Sequence, residues 1–562
     1  RSGKIKLRRS FKVENGHLIQ IDSPEGIFRR TETGWEKLDA DSEIAAHRSR
    51  GIHAKEKSLP SILSLITKDQ FEMITTDPER PVIIQGSAGS GKTTVALHRL
   101  AWLLHENNST VKSENTRVIV MNKSLAVYVS ATLPSMGIND VQTTTFNSWA
   151  LSIIRKSMRT QPFFKFLTIP SFVEEIKFSE EILKAIDGLV EKQGQALDEE
   201  IKKQFSSRTA HLENWAKGKG KPLLPRLRDF IHEVKNSKLP EAEKQQKLGF
   251  VKKQISNQED YLQDLYNLLS DTEHLKKYLK RDAKLVSNLE YLKRLTNKNM
   301  LKKNLDYFDM SLVLRLIQIK NGGLPDGDGG TVSLDHIVID EAQDFGPVEF
   351  AIMMDAVSDK HQITIVGDVA QKILFARKFI GWKKVVEYLG LDEDSIIQLE
   401  VSFRCTVPIM TLAYKVAGDP KTVEGRAGPA PDWKKVGNFV DLTEALADWS
   451  RGLLRADPYK LVALICRYPK QAMELKEEME NYLPGEVRLG HRDQFSFEPG
   501  VLVTNIHQVK GLEFDSVALV EPDEENYPAK REESRNMIYV GITRTQEDLL
   551  LATIRPYSPV LF

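Results

Sequence analysis

Short apolar runs alternate with helical patterns in the first part of the chain. The run PVIIQ (81–85) precedes a glycine-rich loop. Leucines then recur at the spacing of one helix face, at Leu97, Leu100 and Leu104. Three further apolar runs have the length of buried strands: RVIVM (117–121), HIVID (336–340) and ITIVGD (363–368). Strands that alternate with helices predict a parallel, doubly wound sheet, and therefore an α/β fold.

A second series of short apolar runs follows later in the chain. They are LVALICR (461–467), VLVTNI (501–506), SVALVEP (516–522) and LLLATI (549–554). Their spacing leaves room for a helix between most neighbours, so the pattern predicts a second α/β domain over residues 396–562.

Between residues 151 and 330 the alternation of strand and helix stops. The segment is long, charged and helical in pattern, and it ends in the linker-like sequence NGGLPDGDGG. We interpret it as a helical insertion in a first α/β domain made of residues 61–150 and 331–395. Residues 1–60 include the turn signals Asn15-Gly16 and Thr33-Gly34 within alternating polar and apolar positions, which predicts a small β segment.

Charge is unevenly distributed. The 562-residue chain has a net charge of +1, but the 151–330 insertion carries about eight more basic than acidic residues. Its most basic stretch is KKYLKRDAKLVSNLEYLKRLTNKNMLKK (276–303). Such a stretch can bind nucleic acid or an acidic protein, or it can be a solvated helix face, and the pattern leaves these alternatives open.

The remaining composition narrows the cellular setting. Two cysteines provide neither a disulfide framework nor a zinc quartet, which favours a reducing cytoplasm, and we expect the bacterial cytoplasm or nucleoid. No apolar run approaches the roughly 20 residues that span a bilayer, so no membrane partner is expected. The chain begins at Arg1 rather than Met, so residues upstream of it are left open.

The sequence GSAGSGKT (86–93) fits a phosphate-binding loop between a strand and a helix. In such loops the backbone N–H groups and the helix N-terminus hold phosphate oxygens. We therefore expect Lys92 to reach the β- and γ-phosphates of ATP and the Thr93 hydroxyl to ligate Mg²⁺. The predicted nucleotide contacts in this loop are Gly86, Ser87, Ala88, Gly89, Ser90, Gly91, Lys92, Thr93 and Thr94.

Acidic and amide side chains follow two of the predicted strands. Asp340 and Glu341 stand at the end of HIVID, and Gln371 follows ITIVGD. A phosphate-loop ATPase needs a strand-end acid for Mg²⁺ and a neighbour that positions the attacking water. We assign Asp340 to the metal, Glu341 to the water and Gln371 to sensing the γ-phosphate. The alternative is an acidic cluster that caps a helix.

The ordered motifs resemble those of superfamily 1A helicases of the UvrD/Rep type. Besides the phosphate loop and the strand-end acids, they are LITKDQFEMI around Gln70, TTTFNSWA (143–150), LEVSFRC (399–405), VTNIHQVKGLEFD (503–515) and RNMIYVGITRT (535–545). The resemblance implies two RecA-like domains that use ATP and Mg²⁺ to track along single-stranded DNA from 3′ to 5′.

The resemblance also implies roles for individual residues. Gln70 would read adenine, Phe403 would stack on it in place of the family's tyrosine, and Glu513 would contact the ribose or couple the cleft to the track. Arg404 and Arg544 would act as arginine fingers. The implied nucleic-acid contacts are Asn122, Thr145, Phe146, Phe375, Thr504 and His507, of which His507 has the weakest case.

One loop departs from the helicase pattern. Typical members follow the sensor glutamine with S-I-Y-x-W-R, whose aromatic rings stack on DNA, whereas this chain has KILFAR (372–377). Leu374 and Ala376 occupy the aromatic positions, and Phe375 is displaced by one. The chain also has only about a hundred residues between Arg404 and Thr504, too few for the large insertion of UvrD and Rep.

Three stretches instead resemble HelD-like proteins, namely QGSAGSGKTTVALHRLAWLL (85–104), YVSATLPSMGINDVQTTTFNSWA (128–150) and VIDEAQDFGPVEF (338–350). That resemblance implies an ATPase that binds RNA polymerase, here through the 151–330 insertion, and releases it from nucleic acid. HelD-like proteins carry a long N-terminal coiled coil, and this chain has only the short β segment. A DNA translocase, a transcription-complex remodeller and a non-catalytic binding module are therefore the hypotheses, and the intact site residues disfavour the third.

Overall fold

The computed structural model describes most of the chain. The described residues are 10–14, 17–23, 26–31, 34–38, 68–86, 90–158, 162–165, 167, 169–280, 282–302, 304–359, 361–368, 381–392, 395–399, 405–418, 420, 422–423, 425–491 and 495–562.

Four antiparallel strands lie in the N-terminal segment, where the sequence predicted β structure. Each pairs with the next along the chain. They are β1 (Ser10–Glu14), β2 (His17–Ser23), β3 (Gly26–Thr31) and β4 (Gly34–Leu38).

The first α/β unit then begins with strands and helices in alternation. Its elements are α1 (Lys68–Ile74), β5 (Val82–Gly86), α2 (Lys92–Leu103), β6 (Thr116–Val120), α3 (Lys123–Thr132), β7 (Gln142–Thr145) and α4 (Phe146–Ser157).

The middle of the chain is helical. Two very short strands flank most of its helices. The elements are β8 (Phe164–Lys165), α5 (Ser171–Lys177), α6 (Glu180–Gln204), α7 (Thr209–Lys217), α8 (Leu223–Asn236), α9 (Glu241–Gln258), α10 (Tyr261–Ser270), α11 (Thr272–Leu279), α12 (Ala283–Ser287), α13 (Leu289–Leu301), β9 (Leu305–Asp306) and α14 (Asp309–Asn321).

The chain then returns to the first sheet. The returning elements are β10 (His336–Ile339), α15 (Pro347–Met354), β11 (Ile363–Gly367), α16 (Trp382–Tyr388) and β12 (Ile396–Leu399). All six strands of this sheet are parallel, in the order β12-β5-β11-β10-β6-β7. The sequence interpretation had assigned residues from 396 onward to the second domain. Because β12 pairs with β5, the chain leaves the first sheet only after Leu399.

Alternate residues of the first sheet belong to two different cores. In β10, Ile337 and Ile339 pack in one cluster with the insertion helices, whereas Val338 packs in another with residues of the second domain. This follows from the two-residue period of a strand, which sends successive side chains to opposite faces. The insertion therefore shares a hydrophobic core with the first sheet.

The rest of the chain forms a second parallel sheet and its flanking helices. Its strand order is β13-β18-β17-β14-β16-β15. The elements are α17 (Val407–Ala417), β13 (Asp432–Lys435), α18 (Phe439–Ala456), β14 (Leu461–Cys466), α19 (Pro469–Met479), β15 (Val487–Leu489), β16 (Gly500–Asn505), β17 (Phe514–Val520), α20 (Glu532–Ile542) and β18 (Thr545–Thr553).

The two parallel sheets with their flanking helices confirm the predicted α/β class. In the part of the chain that the structure describes, no helix is both long and apolar enough to cross a bilayer. The carboxyl ends of β5, β10 and β11 lie at one edge of the first sheet because these strands are parallel neighbours. That edge is the expected place for a ligand in an open parallel sheet.

Candidate nucleotide site

The loop after β5 is shaped for close backbone approach to a ligand. A Cβ atom on Gly86 would lie 2.6 Å from the Ser90 hydroxyl oxygen and 2.7 Å from the Leu399 carbonyl oxygen, so only glycine fits. Gly91 has a φ of +82° at the N-cap of α2, and no side chain caps that helix. The positive end of the helix therefore favours an anion at the N-terminus of α2.

Side chains at the start of α2 reach two other parts of the site. The Lys92 ammonium is buried and donates to the Gly86 carbonyl oxygen at 2.9 Å. The Thr93 hydroxyl donates to an Asp340 carboxylate oxygen at 2.9 Å, which joins the phosphate loop to the end of β10. The structure therefore brings together the two residues that the sequence assigned to Mg²⁺.

Some predicted loop contacts stay predictions. Ser87, Ala88 and Gly89 lie outside the described residues, and Thr94 is half-buried one residue beyond Thr93. Among the described residues the buried Ser90 hydroxyl oxygen has no hydrogen-bond partner, as expected for a polar group that faces a ligand.

Asp340 sits where an ionised carboxylate needs a cation. It is buried at the end of β10, and its N–H donates to the Ile119 carbonyl oxygen of the neighbouring strand at 2.9 Å. Burial, reinforced by the negative charge of Glu341, raises the pKa of Asp340 to about 7. A divalent cation would favour the ionised form, and Mg²⁺ prefers carboxylate and hydroxyl oxygens. Asp340 and Thr93 thus fit a divalent cation and together would hold it.

Glu341 is held in an uncommon backbone conformation. Its φ of +55° lies in the left-handed region, which non-glycine residues adopt at some cost and mostly at functional sites. The Glu341 N–H donates to an Asp340 carboxylate oxygen at 2.8 Å. The Gln343 amide donates to a Glu341 carboxylate oxygen at 2.6 Å and accepts from the Asp368 N–H at 2.9 Å. Gln343 therefore links the ends of β10 and β11, a role that the sequence analysis missed.

The second domain contributes Lys510, a cation that contacts the acidic residues of the first domain. This residue follows β16, and its ammonium donates to Asp344 and lies 3.5 Å from a Glu341 carboxylate oxygen. Lys510 and Asp344 are fully buried. The sequence analysis quoted both residues within motifs but gave neither a role. The sequence feature that could have pointed to a role is that each is a charged residue inside a recognised motif segment, 503–515 for Lys510 and 338–350 for Asp344.

Burial by itself would raise the pKa of Glu341. Nearby cations outweigh burial and lower the pKa below the ordinary value of a glutamate, in decreasing order of effect Lys510, Lys92 and Arg544. Glu341 is therefore ionised at neutral pH, as a residue that takes a proton from water must be.

Three further predicted residues lie around this cleft. The Gln70 amide donates to the Ser90 carbonyl oxygen at 3.4 Å, which places it against the phosphate loop. Arg544 is buried, and its guanidinium donates to the Val540 and Leu512 carbonyl oxygens, each at 3.1 Å. Glu513 is half-buried and accepts from the Gln546 amide at 3.3 Å. The predicted site residues Gln371, Phe375, Phe403 and Arg404 lie outside the described residues.

Comparison with known proteins identifies the chain's relatives. Residues 66–377 match the UvrD/REP helicase N-terminal domain, and residues 459–556 match the UvrD-like helicase C-terminal domain. The chain belongs to the UvrD/Rep helicase family. The phosphate loop, the strand-end acids and Lys510 all lie within these two matched regions.

Individual similarities are more limited in extent. A probable DNA helicase II homologue from Rickettsia conorii is 25% identical over 362 residues, which are 62% of this chain and 44% of that protein. The chain therefore spans less than half the length of this curated relative. The C-terminal domain of a possible DNA helicase from Lactobacillus plantarum is 24% identical, and the match covers 29% of this chain and 92% of that one with a TM-score of 0.25.

Two of the nucleic-acid contacts implied by the UvrD/Rep resemblance are interior side chains. Phe146 is 1% exposed, and its ring packs 6.4 Å from that of Phe345, so it is a core residue rather than a surface for a base. Thr504 is 0% exposed, and its hydroxyl donates to the Gly490 carbonyl oxygen at 2.7 Å. Both predictions are corrected for the same reason, because each side chain is enclosed by its own domain.

Three other implied contacts have structural partners. The Thr145 hydroxyl caps α4 by accepting from the Ser148 N–H at 3.1 Å. The Asn122 amide donates to the Lys510 carbonyl oxygen at 3.1 Å and so bridges the two domains. The His507 ring lies 3.1 Å from the Arg467 guanidinium. Burial, followed by the charge of Arg467, lowers the pKa of His507 to about 4, so its ring is neutral at neutral pH.

The pairing of Thr93 with Asp340 predicts a metal-dependent defect in nucleotide binding. We expect Thr93→Ala to lose most of the increase in ATP affinity that Mg²⁺ gives the wild type, because one of two protein ligands is gone. Thr93→Ser keeps the hydroxyl and serves as the matched control. Titration of a fluorescent ATP analogue with and without Mg²⁺ measures this difference. An unchanged Mg²⁺ effect in Thr93→Ala would remove Thr93 from the metal site.

Proposed function

We propose that the protein is an ATP-hydrolysing motor that moves on nucleic acid, on single-stranded DNA in the 3′ to 5′ direction. The observation that carries this proposal is a cleft assembled from both domains. The first domain supplies Lys92, Asp340 and Glu341, and the second supplies Lys510 and Arg544. Membership of the UvrD/Rep family supports the same conclusion.

The residues of the cleft divide the chemical work. Lys92 and the N-terminus of α2 bind the β- and γ-phosphates. Mg²⁺, held by Thr93 and Asp340, would neutralise charge on the phosphate oxygens. The ionised Glu341 orients a water for attack on the γ-phosphorus and accepts its proton. Arg544 lies close enough to lower the pKa of Glu341, and a guanidinium there stabilises charge that develops in the transition state.

Contacts between the domains connect the nucleotide site to the loop that follows β16, which carries a proposed nucleic-acid contact. The Ser124 hydroxyl of α3 donates to the Gln508 amide oxygen at 2.8 Å, close to the bridge from Asn122 to Lys510. Gln508 and Lys510 belong to the loop that follows β16, and this loop also carries His507. A change in domain contact at the cleft therefore reaches this loop directly, as a translocating motor requires.

The assignment of the phosphate loop predicts that Lys92→Ala abolishes ATP hydrolysis. Loss of the phosphate-binding ammonium should lower the turnover rate by at least about 100-fold. The measurement is steady-state phosphate release with and without single-stranded DNA, which should stimulate the wild type. Lys112→Ala is the matched control because Lys112 is an exposed lysine of the same domain. Wild-type turnover by Lys92→Ala would overturn the site assignment.

The exposed face of α13 favours a second candidate, a HelD-like ATPase that binds RNA polymerase and releases it from nucleic acid. Arg294, Lys298 and Lys302 are exposed at intervals of four residues and form one basic stripe. Tyr291 and Leu301 beside them are 49% and 83% exposed. Aromatic and apolar side chains among cations suit a protein partner as well as a nucleic-acid strand.

A charge reversal on this stripe separates the two candidates. The variant Arg294→Glu/Lys298→Glu/Lys302→Glu should lose binding to whichever partner the stripe contacts, because each change replaces attraction by repulsion. Binding is measured separately to purified bacterial RNA polymerase and to single-stranded DNA. Loss of polymerase binding alone supports the second candidate, and loss of DNA binding alone supports the first.

The control for the stripe is the variant Lys235→Glu/Lys252→Glu/Lys253→Glu, which changes the net charge equally at exposed lysines of α8 and α9. Substitution is preferable to deletion of the insertion, because the insertion helices share a core with the first sheet. Equal losses in the two triple variants would show that only net charge matters and would remove the stripe from both hypotheses.

A further inference from the structure

Lys510 is the most deeply buried cation of the cleft, and the domain opposite its own holds its partners. Its ammonium donates to Asp344 and lies 3.5 Å from Glu341, both of which follow β10 in the first domain. The side chains of Lys510 and Asp344 are 0% exposed. This ion cluster therefore exists only while the two domains are in contact.

We propose that Lys510 is a positioning residue, supplied by the second domain, that orients Glu341 and so makes water attack on the γ-phosphate depend on domain contact. The inference rests on the proposed ATPase function and adds to it the element that couples hydrolysis to closure. Lys510 acts through Glu341 and Asp344, not by touching the nucleotide.

The orientation of Glu341 depends on its neighbours. Its left-handed backbone gives the carboxylate no support from a regular helix or strand. Gln343 holds one carboxylate oxygen from within the first domain, and Lys510 approaches that same oxygen from the second. Lys510 is thus the part of this arrangement that is removed when the domains separate.

The loop that carries Lys510 is built for close approach to the first domain. The Asn122 amide donates to the Lys510 carbonyl oxygen, while its own oxygen caps α3 by accepting from the Leu125 N–H at 2.7 Å. Gly511 has a φ of +79°, and a Cβ atom there would lie 2.6 Å from a Leu125 methyl carbon. Glycine at 511 therefore allows the contact that brings Lys510 to Glu341.

Removal of the ammonium would leave two buried carboxylates, Asp344 and Glu341, without the cation between them. Like charges repel strongly in a poorly solvated site, so Glu341 would turn away from its working position. The predicted phosphate and metal contacts, Lys92 and Thr93, come from the first domain and would remain. The defect should therefore appear in turnover and not in ATP binding.

The test is Lys510→Met, which keeps an unbranched side chain one atom shorter than lysine and removes its charge. We expect kcat for ATP hydrolysis by the full chain, with single-stranded DNA present, to fall about 100-fold, as for a misplaced catalytic group. KM for ATP should stay within about 3-fold of the wild type, because ground-state binding is untouched. Thermal unfolding of the variant confirms that the protein is folded.

Asp344→Asn tests the same ion cluster from its other partner, and it keeps the test possible if Lys510→Met does not fold. It should lower kcat without raising KM. The double variant Lys510→Met/Asp344→Asn should be no slower than Lys510→Met within about 3-fold, because residues that act as a unit are not additive. Tyr128→Leu, which removes a ring contact between α3 and Phe497 of the second domain (5.3 Å between ring centroids), is the matched control and should keep nearly normal kcat.

Wild-type kcat in both Lys510→Met and Asp344→Asn would overturn the inference, as would a defect confined to KM. An equal loss in Tyr128→Leu would also overturn it, since any loosening of the interface would then suffice. The outcomes are separable from those of the proposed function. A wild-type protein that does not hydrolyse ATP refutes the ATPase itself, whereas active enzyme with insensitive Lys510 and Asp344 variants refutes only the coupling.

Discussion

The buried ammonium of Lys510 between carboxylates of the opposite domain is the constraint on which the rest of the site depends. Asp340, Glu341 and Asp344 place three buried acids within five residues of one strand end. Leaving one partner of a buried ion pair uncompensated costs about 3–5 kcal/mol. Lys92 is the cation that the first domain offers nearby, and Lys510 and Arg544 come from the second. The hydrolytic end of the cleft is therefore electrostatically complete only when the domains meet.

The two faces of the first sheet pack against different parts of the chain. One face shares its core with the insertion helices, so the basic stripe on α13 belongs to the same packed body as the phosphate loop. The opposite face shares a cluster with the second domain, where the ion cluster and the contacts of α3 lie. A change at the nucleotide can thus alter domain contact on one face, and under the second proposed function the insertion would bind its partner on the other.

The sequence predicted the parts of the site that are local along the chain. A strand, a glycine loop and a helix, or a strand followed by two acids, are patterns within one short stretch of chain, and the structure brings Lys92, Thr93 and Asp340 together as expected. The pairing of Lys510 with Asp344 spans 166 positions, which no periodicity reveals. Phe146 and Thr504 stand inside recognised motifs, but a motif does not tell which side chains face inward.

Lys510 reaches Glu341 only while the two domains are in contact, so its coupling role requires that nucleotide change the separation of the domains, and a distance between them tests this most directly. Both native cysteines, Cys405 and Cys466, are buried, so spin labels can be directed to Ala131→Cys on α3 and Met473→Cys on α19, two exposed positions. Pulsed electron paramagnetic resonance should show a broad distance distribution without nucleotide and one narrow, shorter distance with a non-hydrolysable ATP analogue and Mg²⁺. A distribution that the nucleotide leaves unchanged would contradict the account.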